Sequence, residues 1–580
     1  MTAEKLRERL QQKFDLENWK RIIEACFPER TFYTTPKLPE ERIRERNEYQ
    51  RLAEHVHHIG EVSLSDGTSM ALIDVKLKDG ATQLTRNRVG LRKLVDSEVI
   101  AGVRDAAIIV YHQPDYKEWR ISFYSEQYGW DEDKGIVKEE TNAKRYTFVV
   151  GGDETCRTAS QRLHMLIDKS TEKGLKDVLE AFSVQKVSKE FFDEYKKQYD
   201  KFVGYLTGEV WKKSGVEKVE TSFNQLQAYF GHAPDPKKEA RDFVKKLLGR
   251  IVFLYFVQKK KWIGSETPDF KRGDTNFIYN LFHSIRDDQK YSFYSTWLAP
   301  LFFESLNVDN DHKFEMPDGN VVYIPFLNGG LFEMDETDKK AQGISIPADF
   351  FSHSDERKRE EPNERGFLDF LSAYNFTIHE DSPGDHTIAV DPEMLGQIFE
   401  NLLEDNKDKG AYYTPQPIVH YMCQESLIEY LLTRLTTEGT EEKEREELRS
   451  TLGNLIKNQE AGRLVEYTEE ILKALKDVKV CDPAIGSGAF PMGILQEIYQ
   501  AVETLHHLSP DSVRAIWELP DDNWHPAEVK KQIIQSSIYG VDIEKGAVDI
   551  ARLRFWLSLI VDEEKPTPLP NLDYKIVVGD

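Results

Sequence analysis

Asp482-Pro-Ala-Ile-Gly-Ser-Gly-Ala-Phe490 is the stretch of this chain that decides its fold. It follows a short apolar run, Val478-Lys-Val-Cys481, and it precedes the helical pattern of Met492–Leu505. A strand, a glycine-rich turn and a helix in this order form nucleotide-sized sites at the carboxyl edge of α/β sheets. Gly486 and Gly488 leave out side chains where a ligand has to touch the backbone. A single glycine-rich turn is weak evidence, because it also occurs as a purely structural connection.

Two further segments extend this pattern. Upstream, Gly410-Ala-Tyr-Tyr-Thr-Pro-Gln-Pro417 precedes an amphipathic helix predicted near Ile418 to Leu432. Downstream, Ile538-Tyr-Gly-Val-Asp-Ile543 reads as a second parallel strand with an acid at its tip, and a helix is predicted from about Gly546 onward. An acid at the tip of a second strand is suited to binding ribose hydroxyls.

Together, the three segments resemble the S-adenosylmethionine (AdoMet) motifs of γ-class adenine-N6 DNA methyltransferases, in that family's order. The resemblance implies a Rossmann-like class I methyltransferase fold with AdoMet as cofactor. It implies that Thr414 holds the methionine carboxylate, that the loop after Asp482 lies along the methionine side, and that Asp542 binds the ribose. Asp580 matches the acid that hydrogen-bonds the adenine amino group. The cofactor-binding residues expected from these motifs are Tyr412, Thr414, Asp482, Ala484, Gly486, Gly488, Phe490, Asp542, Ile543 and Asp580.

Two departures from that family are visible. The spacing from Gly488 to Asp542 is more than twice the roughly 20 residues of dinucleotide folds, so a helical insertion near Ser509–Ser537 is expected to bulge out between the two strands. The family's catalytic motif, Asn/Asp-Pro-Pro-Tyr/Phe, is absent from the sequence. Its oxygens would engage the target amino group while its ring stacks on a flipped base. Because relatives carry it shortly after the position of Asp580, we expect the chain to be a fragment, with an incomplete methyltransferase domain that does not methylate DNA alone.

The composition sets further bounds. A length of 580 residues predicts about three or four domains. The formal net charge of −24 argues against a protein that coats DNA, although local basic patches stay compatible with a DNA enzyme. Two basic segments are candidates, Thr85–Lys93 and Lys237–Lys261, and for the second a solvated helix face is an equal alternative.

No apolar run reaches the length of a membrane span and no secretory signal is present, so a cytoplasmic location without membrane partners is expected. Neither a zinc pattern nor a disulfide framework emerges from the four cysteines.

The N-terminal region predicts a small mixed α/β unit with a hairpin at Ser65-Asp-Gly67. Its second strand, Ser69–Leu77, carries Asp74-Val-Lys76. An acid-x-Lys on one strand face with another acid nearby resembles the PD-(D/E)xK nuclease arrangement, in which acids hold Mg²⁺ through oxygen ligands. The metal and the lysine then assist attack of water on a phosphodiester.

The second acid of this site has two candidates. Counting back from the turn places Glu61 opposite Leu72, which puts Glu61, Asp74 and Lys76 on one face of the sheet. We therefore predict Glu61, Asp74 and Lys76 as the catalytic residues, with Glu61 and Asp74 as metal ligands. Asp66, at the hairpin tip, is kept as the alternative.

Three histidines, His55, His57 and His58, precede the hairpin. Histidine is a common metal ligand, but the spacing fits no zinc signature. Surface or packing histidines are the favoured interpretation.

The chain as a whole resembles type IIG restriction–modification proteins, which join a nuclease, a helical connector and a γ-class methyltransferase. The resemblance implies a multidomain α/β fold: a restriction-endonuclease-like unit in residues 1–160, a mainly helical connector in 161–385, and the first part of the methyltransferase in 386–580. It implies double-stranded DNA as partner, with AdoMet and Mg²⁺ as cofactors. Alternatives are a DNA methyltransferase subunit of a multi-protein phage-defence system with an inactive nuclease-like domain, or a non-enzymatic AdoMet binder. No phosphate-binding Gly-Lys-Ser/Thr loop is present, so ATP-driven translocation is not expected.

Overall fold

The chain forms two compact units. The computed structural model describes all residues except 80–90, 92–93, 96–105, 115, 126–127, 132–134, 139–143, 153, 169–172, 213–214, 219–224, 328–329, 378–384, 395, 397–413, 438, 461, 463 and 564. Unit one comprises Met1–Glu194, Phe370–Thr377 and Asp381–Val390, and unit two holds the remainder. Both α-helices and β-sheets are present, so the fold is a mixed, multi-unit α/β arrangement. The predicted boundary at residue 160 falls inside a helix, Arg157–Asp168, and residues 161–194 belong to unit one.

A seven-stranded sheet forms the centre of unit one, in the order β1-β2-β3-β4-β5-β8-β13. Neighbouring strands are antiparallel except β3–β4 and β8–β13, which are parallel. The strands are β1 Arg30–Lys37, β2 Ala53–Ser63, β3 Ser69–Leu77, β4 Ala106–His112, β5 Glu118–Ser125, β8 Lys144–Gly151 and β13 Asp385–Thr387, with a small separate hairpin of β6 Tyr128–Asp131 and β7 Gly135–Lys138. The helices are α1 Ala3–Gln11, α2 Leu16–Cys26, α3 Glu41–Arg44, α4 Asn47–Leu52, α5 Arg157–Asp168 and α6 Leu175–Ala181, while α7 Val184–Thr207 contains the boundary between the units.

Each face of this sheet packs on its own hydrophobic core. One core joins Met70 and Leu72 of β3 to α1, α2, α5 and α6. The other contains Ala71, Ile73 and Val75, the alternate residues of the same strand. Both faces of β3 are therefore buried, which explains why its sequence is apolar almost throughout and why a charged Asp74 within it stands out.

The predicted hairpin is present. Strands β2 and β3 are antiparallel and are joined through Gly67, whose φ of 85° lies in the left-handed region that glycine tolerates best. The register differs from the prediction, because Ile59 is an extra residue in β2 that shifts the pairing between His58 and Gly60. Such a β-bulge moves every later residue of the strand by one position.

The helical part of unit two is built around α8, Pro236–Lys259, which is buried along its second half. Asp235 caps it by accepting a hydrogen bond from the Lys238 amide at 3.0 Å, and Pro236 occupies the first turn, where its missing N–H costs nothing. The other α-helices of this part are α9 Phe277–Ser284, α10 Glu336–Ala341, α11 Ala348–Phe351 and α12 Glu356–Glu360, together with the short hairpins β9 Glu209–Lys212 with β10 Gly215–Lys218 and β11 Lys313–Glu315 with β12 Val321–Tyr323. Helix α13, Phe367–Ser372, contains a further boundary between the units. Among the described residues, no helix has the length and apolar character needed to cross a membrane.

The remaining part of unit two is a three-stranded parallel sheet in the order β14-β15-β16, as the sequence predicts. Its strands are β14 Val480–Asp482, β15 Ile538–Asp542 and β16 Ile576–Val578. Its helices are α14 Gln416–Leu435, α15 Glu442–Gly453, α16 Thr468–Asp477, α17 Ala489–Leu508, α18 Pro510–Trp517, α19 Pro526–Ser536 and α20 Lys545–Ile560. The inserted segment between β14 and β15 is helical, as predicted, but α18 and α19 bury Val513, Trp517 and Ile533 rather than standing out from the fold.

Candidate functional site

The glycine-rich turn lies at the carboxyl end of β14. Asp482 is half-buried there, and its Oδ1 accepts a hydrogen bond from the Ala484 amide at 3.0 Å. Burial raises the pKa of Asp482, and the negative charge of Asp542 raises it further, against the lowering effect of the Ala484 hydrogen bond. The charge of Asp542 at the neighbouring strand end thus acts on the ionisation of Asp482.

Two glycines in the turn adopt conformations that other residues rarely take. Gly486 has a φ of 52° and Gly488 a φ of 86°, both in the left-handed region. A Cβ on Gly488 would lie 3.1 Å from the Cβ of Ala551 in α20. The turn therefore needs glycine for its backbone shape and for close packing against the helix that follows β15.

Asp542 ties the two strand ends together. Its Oδ2 accepts a hydrogen bond from the Gly486 amide at 2.8 Å, and its Oδ1 accepts one from the Glu544 amide at 2.8 Å. A carboxylate has about four lone-pair sites, so two remain for hydroxyl donors of a ligand. This arrangement fits the ribose-binding role that the sequence predicts for Asp542.

The other predicted cofactor-binding residues differ in their exposure and in their position relative to this edge of the sheet. Ile543 is 62% exposed directly after Asp542, Ala484 is exposed and Phe490 is half-buried. The Gly579 amide donates to the Asp542 carbonyl at 2.9 Å, which brings Asp580 to the same edge. Thr414 lies two residues before α14, and Tyr412 lies outside the described residues.

Helix α14 packs on the first turns of α17, next to the glycine-rich turn. The Cys423 thiol lies 3.6 Å from the Phe490 carbonyl. A Cβ on Gly493 would lie 2.6 Å from Val419, so the helices approach each other closely. This contact fixes the first turns of α14 relative to the glycine-rich turn.

A buried ion pair that the sequence did not indicate joins these two helices. His420 Nδ1 lies 2.6 Å from Glu497 Oε1, and Gln424 donates to both oxygens of Glu497 at 3.3 Å. Glu497 is 1% exposed. The signal available in the sequence was Glu497, one of two acids within the apolar pattern of Met492–Leu505, and polar residues four positions apart on the preceding helix.

The second basic candidate segment is not an open basic surface. Its side chains pair with acids of the same unit: Lys237 with Glu209, Lys246 with Asp335, and Arg250 with Asp338 at 2.8 Å. At these positions the basic side chains form ion pairs that hold the unit together. The first basic candidate, Thr85–Lys93, lies outside the described residues except for Leu91.

A cavity of about 260 Å³ adjoins this ion-pair region. It is lined by Arg250 of α8, by Gly330–Asp335, by Ser487 of the glycine-rich turn and by Gly546 and Trp556 of α20. Sequence reasoning did not indicate it, because its walls come from segments more than two hundred residues apart.

The nuclease candidates lie in unit one. His57 pairs with Asp74 and His55 with Lys76 across β2 and β3, while Lys76 pairs with His112 across β3 and β4. Paired residues of neighbouring strands share a face. The sheet therefore places three histidines on the same face as Asp74 and Lys76.

Asp74 is the centre of this cluster and is only 4% exposed. Its Oδ2 lies 3.1 Å from His55 Nε2 and its Oδ1 lies 2.9 Å from His112 Nε2. Burial raises the pKa of Asp74, but the hydrogen bonds with His112 and His55 outweigh it and lower the pKa to about 2. Burial, and then the charge of His55, lower the pKa of His57.

The predicted position of Glu61 is wrong. The bulge at Ile59 pairs Glu61 with Ala71 instead of Leu72, which turns Glu61 to the face opposite Asp74. Its carboxylate accepts a hydrogen bond from the Tyr33 hydroxyl and lies 3.8 Å from Lys37 Nζ. The structure does not bring Glu61 together with Asp74.

Asp66 and Lys76 are also engaged elsewhere. Asp66 accepts hydrogen bonds from the Leu175 amide at 2.6 Å and the Thr68 amide at 3.0 Å, so it holds the hairpin tip against the start of α6. Lys76 donates to Glu54 Oε1 at 2.7 Å. Of the nuclease residues predicted from sequence, only Asp74 and Lys76 share a face.

Comparison with known proteins gives one curated relative. The chain is 28% identical over 459 residues to a protein of Methanocaldococcus jannaschii that is provisionally named a type II restriction enzyme and methyltransferase; the match covers 71% of this chain and 35% of that protein. The chain thus spans about a third of the length of this relative. No family model matches the chain.

Two solved structures have weak likeness to the chain. One is the type IIL restriction-modification enzyme MmeI in complex with DNA, with a TM-score of 0.36, 15% identity, and coverage of 69% of this chain and 40% of that chain. The other is a DrdV–DNA complex, with a TM-score of 0.25, 12% identity, and coverage of 98% and 39%. At these scores the likeness carries no argument about this chain.

Proposed function

We propose that the chain is part of a DNA restriction–modification protein of the type IIG kind, and that the edge of its three-stranded sheet binds AdoMet for methylation of adenine N6 in double-stranded DNA. The observation that carries the proposal is the geometry of Asp542, which binds the Gly486 amide on one side and the Glu544 amide on the other. The order of the motifs and the name of the M. jannaschii relative support the same conclusion.

The residues present are suited to this cofactor. Acids at the ends of adjacent parallel strands offer acceptors to ribose hydroxyls and amino groups, and Gly486 and Gly488 leave the backbone open to a ligand. AdoMet would supply the methyl group when bound. Asp482 and Asp542 would orient it through its amino and hydroxyl donors, while the His420–Glu497 pair keeps α14, and thus Thr414, in place beside the turn.

Calorimetric titration of the chain with AdoMet tests the proposal. We expect one site per chain, and at least tenfold weaker binding for Asp542→Asn, since the amide offers one acceptor oxygen instead of two. Asp511→Asn, in an exposed acid at the start of α18, is the matched control and should bind like the wild type. Equal binding by Asp542→Asn and the wild type would overturn the proposed site.

For the N-terminal unit, we propose a nuclease-like domain in which Asp74 and Lys76 are the candidate catalytic residues of metal-dependent DNA cleavage. A specific observation favours the alternative, a methyltransferase subunit whose nuclease-like domain does not cut DNA. Neither Glu61 nor Asp66 is available beside Asp74 as the second oxygen ligand that Mg²⁺ needs.

A plasmid-cleavage assay separates the two functions. Cleavage with Mg²⁺ that is lost in Lys76→Ala, while AdoMet titration stays unchanged, would establish the nuclease. Absence of cleavage with Mg²⁺, Mn²⁺, Co²⁺ or Zn²⁺, in a preparation that still binds AdoMet, would establish the alternative.

A further inference from the structure

We infer that His55, His57 and Asp74 form a binding site for a divalent transition-metal ion, with His112 positioning the carboxylate. The site shares Asp74 with the proposed nuclease site and specifies its metal, but metal binding here would stand even if the chain neither cleaved nor methylated DNA. One ligand atom from each of His55, His57 and Asp74 lies within 4.8 Å of the others. All three residues stand on adjacent, paired strands.

The distance between Asp74 and His55 is close to that of two ligands in a metal coordination shell, while the His57 nitrogen lies within 4.8 Å of both and would have to move closer. Ligands that bind zinc at about 2.0–2.1 Å in a tetrahedron are separated from one another by roughly 3.3 Å. Asp74 Oδ2 and His55 Nε2 are 3.1 Å apart. A metal ion would thus require only small side-chain movements to replace the hydrogen bond between these two atoms.

The donor set selects the class of metal. Imidazole nitrogens suit Zn²⁺, Fe²⁺, Co²⁺ and Ni²⁺, whereas Mg²⁺ prefers carboxylate, carbonyl and water oxygens. Two histidines and one carboxylate leave coordination positions open, as in catalytic rather than structural metal sites. The cluster therefore fits a transition-metal ion that keeps exchangeable positions, and it fits Mg²⁺ poorly.

Neighbouring side chains hold the ligands in place. His112 Nε2 contacts Asp74 Oδ1 at 2.9 Å and so orients the second oxygen toward His55. The Phe14 ring stacks on His112 at a centroid distance of 4.0 Å, and the rings of His55 and His57 stack in parallel at 3.9 Å. Because the lone pairs of imidazole nitrogens lie in the ring plane, the two stacked rings do not point at one common ion as they stand, and one of them has to rotate when the metal binds. Lys76 donates a hydrogen bond to Glu54 rather than to Asp74.

Titration of the metal-free chain with Co²⁺, followed by its visible absorption, tests the site directly. We expect one equivalent to bind with the strong bands of a four- or five-coordinate ion, Zn²⁺ to displace it, and a hundredfold excess of Mg²⁺ not to. His57→Ala and Asp74→Asn should each weaken binding by more than a hundredfold. His112→Ala should weaken it by about 10- to 100-fold, as expected for a positioning residue.

His58→Ala is the matched control, because His58 lies on the same strand but pairs with Ile73 on the opposite face. It should bind Co²⁺ like the wild type. Circular dichroism of each variant identifies any that fail to fold, and His57→Ala keeps the test valid if Asp74→Asn does not fold. Absence of Co²⁺ binding, binding that survives in His57→Ala, or displacement by Mg²⁺ would each overturn the inference, and none of these results depends on AdoMet or DNA.

Discussion

The carboxylate of Asp542 accepts a hydrogen bond from the backbone amide of Gly486 at 2.8 Å. This bond joins the end of β15 to the turn that follows β14, two segments far apart in sequence. The Ile485 amide adds a second link by donating to the Val541 carbonyl at 2.9 Å. The proposed cofactor edge is therefore shaped by the fold before any ligand binds, which reduces the cost of ordering the turn on binding.

Replacing Gly488 by alanine should distort the turn. Its φ of 86° costs an L-residue about 1–2 kcal/mol, and the added Cβ would press on Ala551 at 3.1 Å. We expect Gly488→Ala to lower the free energy of unfolding by about that amount and to weaken AdoMet binding, measured by urea unfolding and calorimetry. Gly546→Ala is the control, since no atom lies within 4 Å of its added Cβ, and it should be neutral or stabilising. Equal effects of the two variants would contradict the proposed role of the turn.

The buried pair of His420 and Glu497 should show strong coupling. Removing one partner of a buried ion pair leaves the other unpaired and typically costs about 3–5 kcal/mol. We expect His420→Leu and Glu497→Leu each to destabilise the protein by an amount of this order in urea unfolding. The double variant should lose much less than the sum of the two. Simple additivity would show that the two side chains act independently.

The turn, the two parallel strands beside it and the acids at their ends could be predicted from sequence because their signals are local. Glycine spacing, an acid after an apolar run and a following helical period all lie within about twenty residues of one another. The β-bulge at Ile59 had no such signal, and it reversed the face of Glu61. A one-residue shift is invisible in the composition of a strand, although it changes which side chains meet.

The histidine cluster was missed for a different reason. His55 and His57 were noted in the sequence, but their partners Asp74 and His112 are supplied by two other strands. Only the parallel pairing of β3 with β4 brings His112 to Asp74. Pairings between distant strands depend on the whole sheet, so short-range patterns do not reveal them.

Thiol reactivity should distinguish the four cysteines. Burial raises the pKa of Cys26 and of Cys423 to about 12, and Cys156 is also buried, whereas Cys481 is exposed at the end of β14. Because the thiolate is the reactive form, we expect one thiol per folded chain to react with an aromatic disulfide reagent. All four should react after unfolding, and Cys481→Ser should abolish the fast reaction. Fast labelling of two or more thiols in the folded chain would disagree with this packing.

Low pH should reduce the stabilisation that the hydrogen bonds and ion pairs of Asp335 give to the folded protein. Burial raises the pKa of Asp335, but Lys246, the Asp338 amide and Lys545 outweigh it and lower the pKa well below its ordinary value. A carboxyl with a lowered pKa in the folded state stabilises the protein fully above its unfolded pKa of about 3.9, and this stabilisation is lost as the pH falls towards the folded pKa. The wild type should thus exceed Asp335→Asn in unfolding free energy by a constant amount at pH 6 and above.

The difference in unfolding free energy between the wild type and Asp335→Asn should shrink below about pH 4. In that range Asp335 becomes protonated in the unfolded chain, while it stays charged in the folded protein until the pH approaches its folded pKa. Urea unfolding of both proteins across this pH range measures it. A difference that is independent of pH would show that Asp335 acts only as a helix cap.

The most direct test of the proposed AdoMet site is ultraviolet cross-linking of the chain to methyl-labelled AdoMet, followed by peptide mapping. We expect label in peptides that contain Asp482–Phe490, Asp542–Glu544 or the segment around Thr414, and loss of this label in Asp542→Asn. Label confined to peptides that contain Arg250 or Gly330, which line the cavity on its other side, or label that persists in Asp542→Asn, would contradict the proposed site.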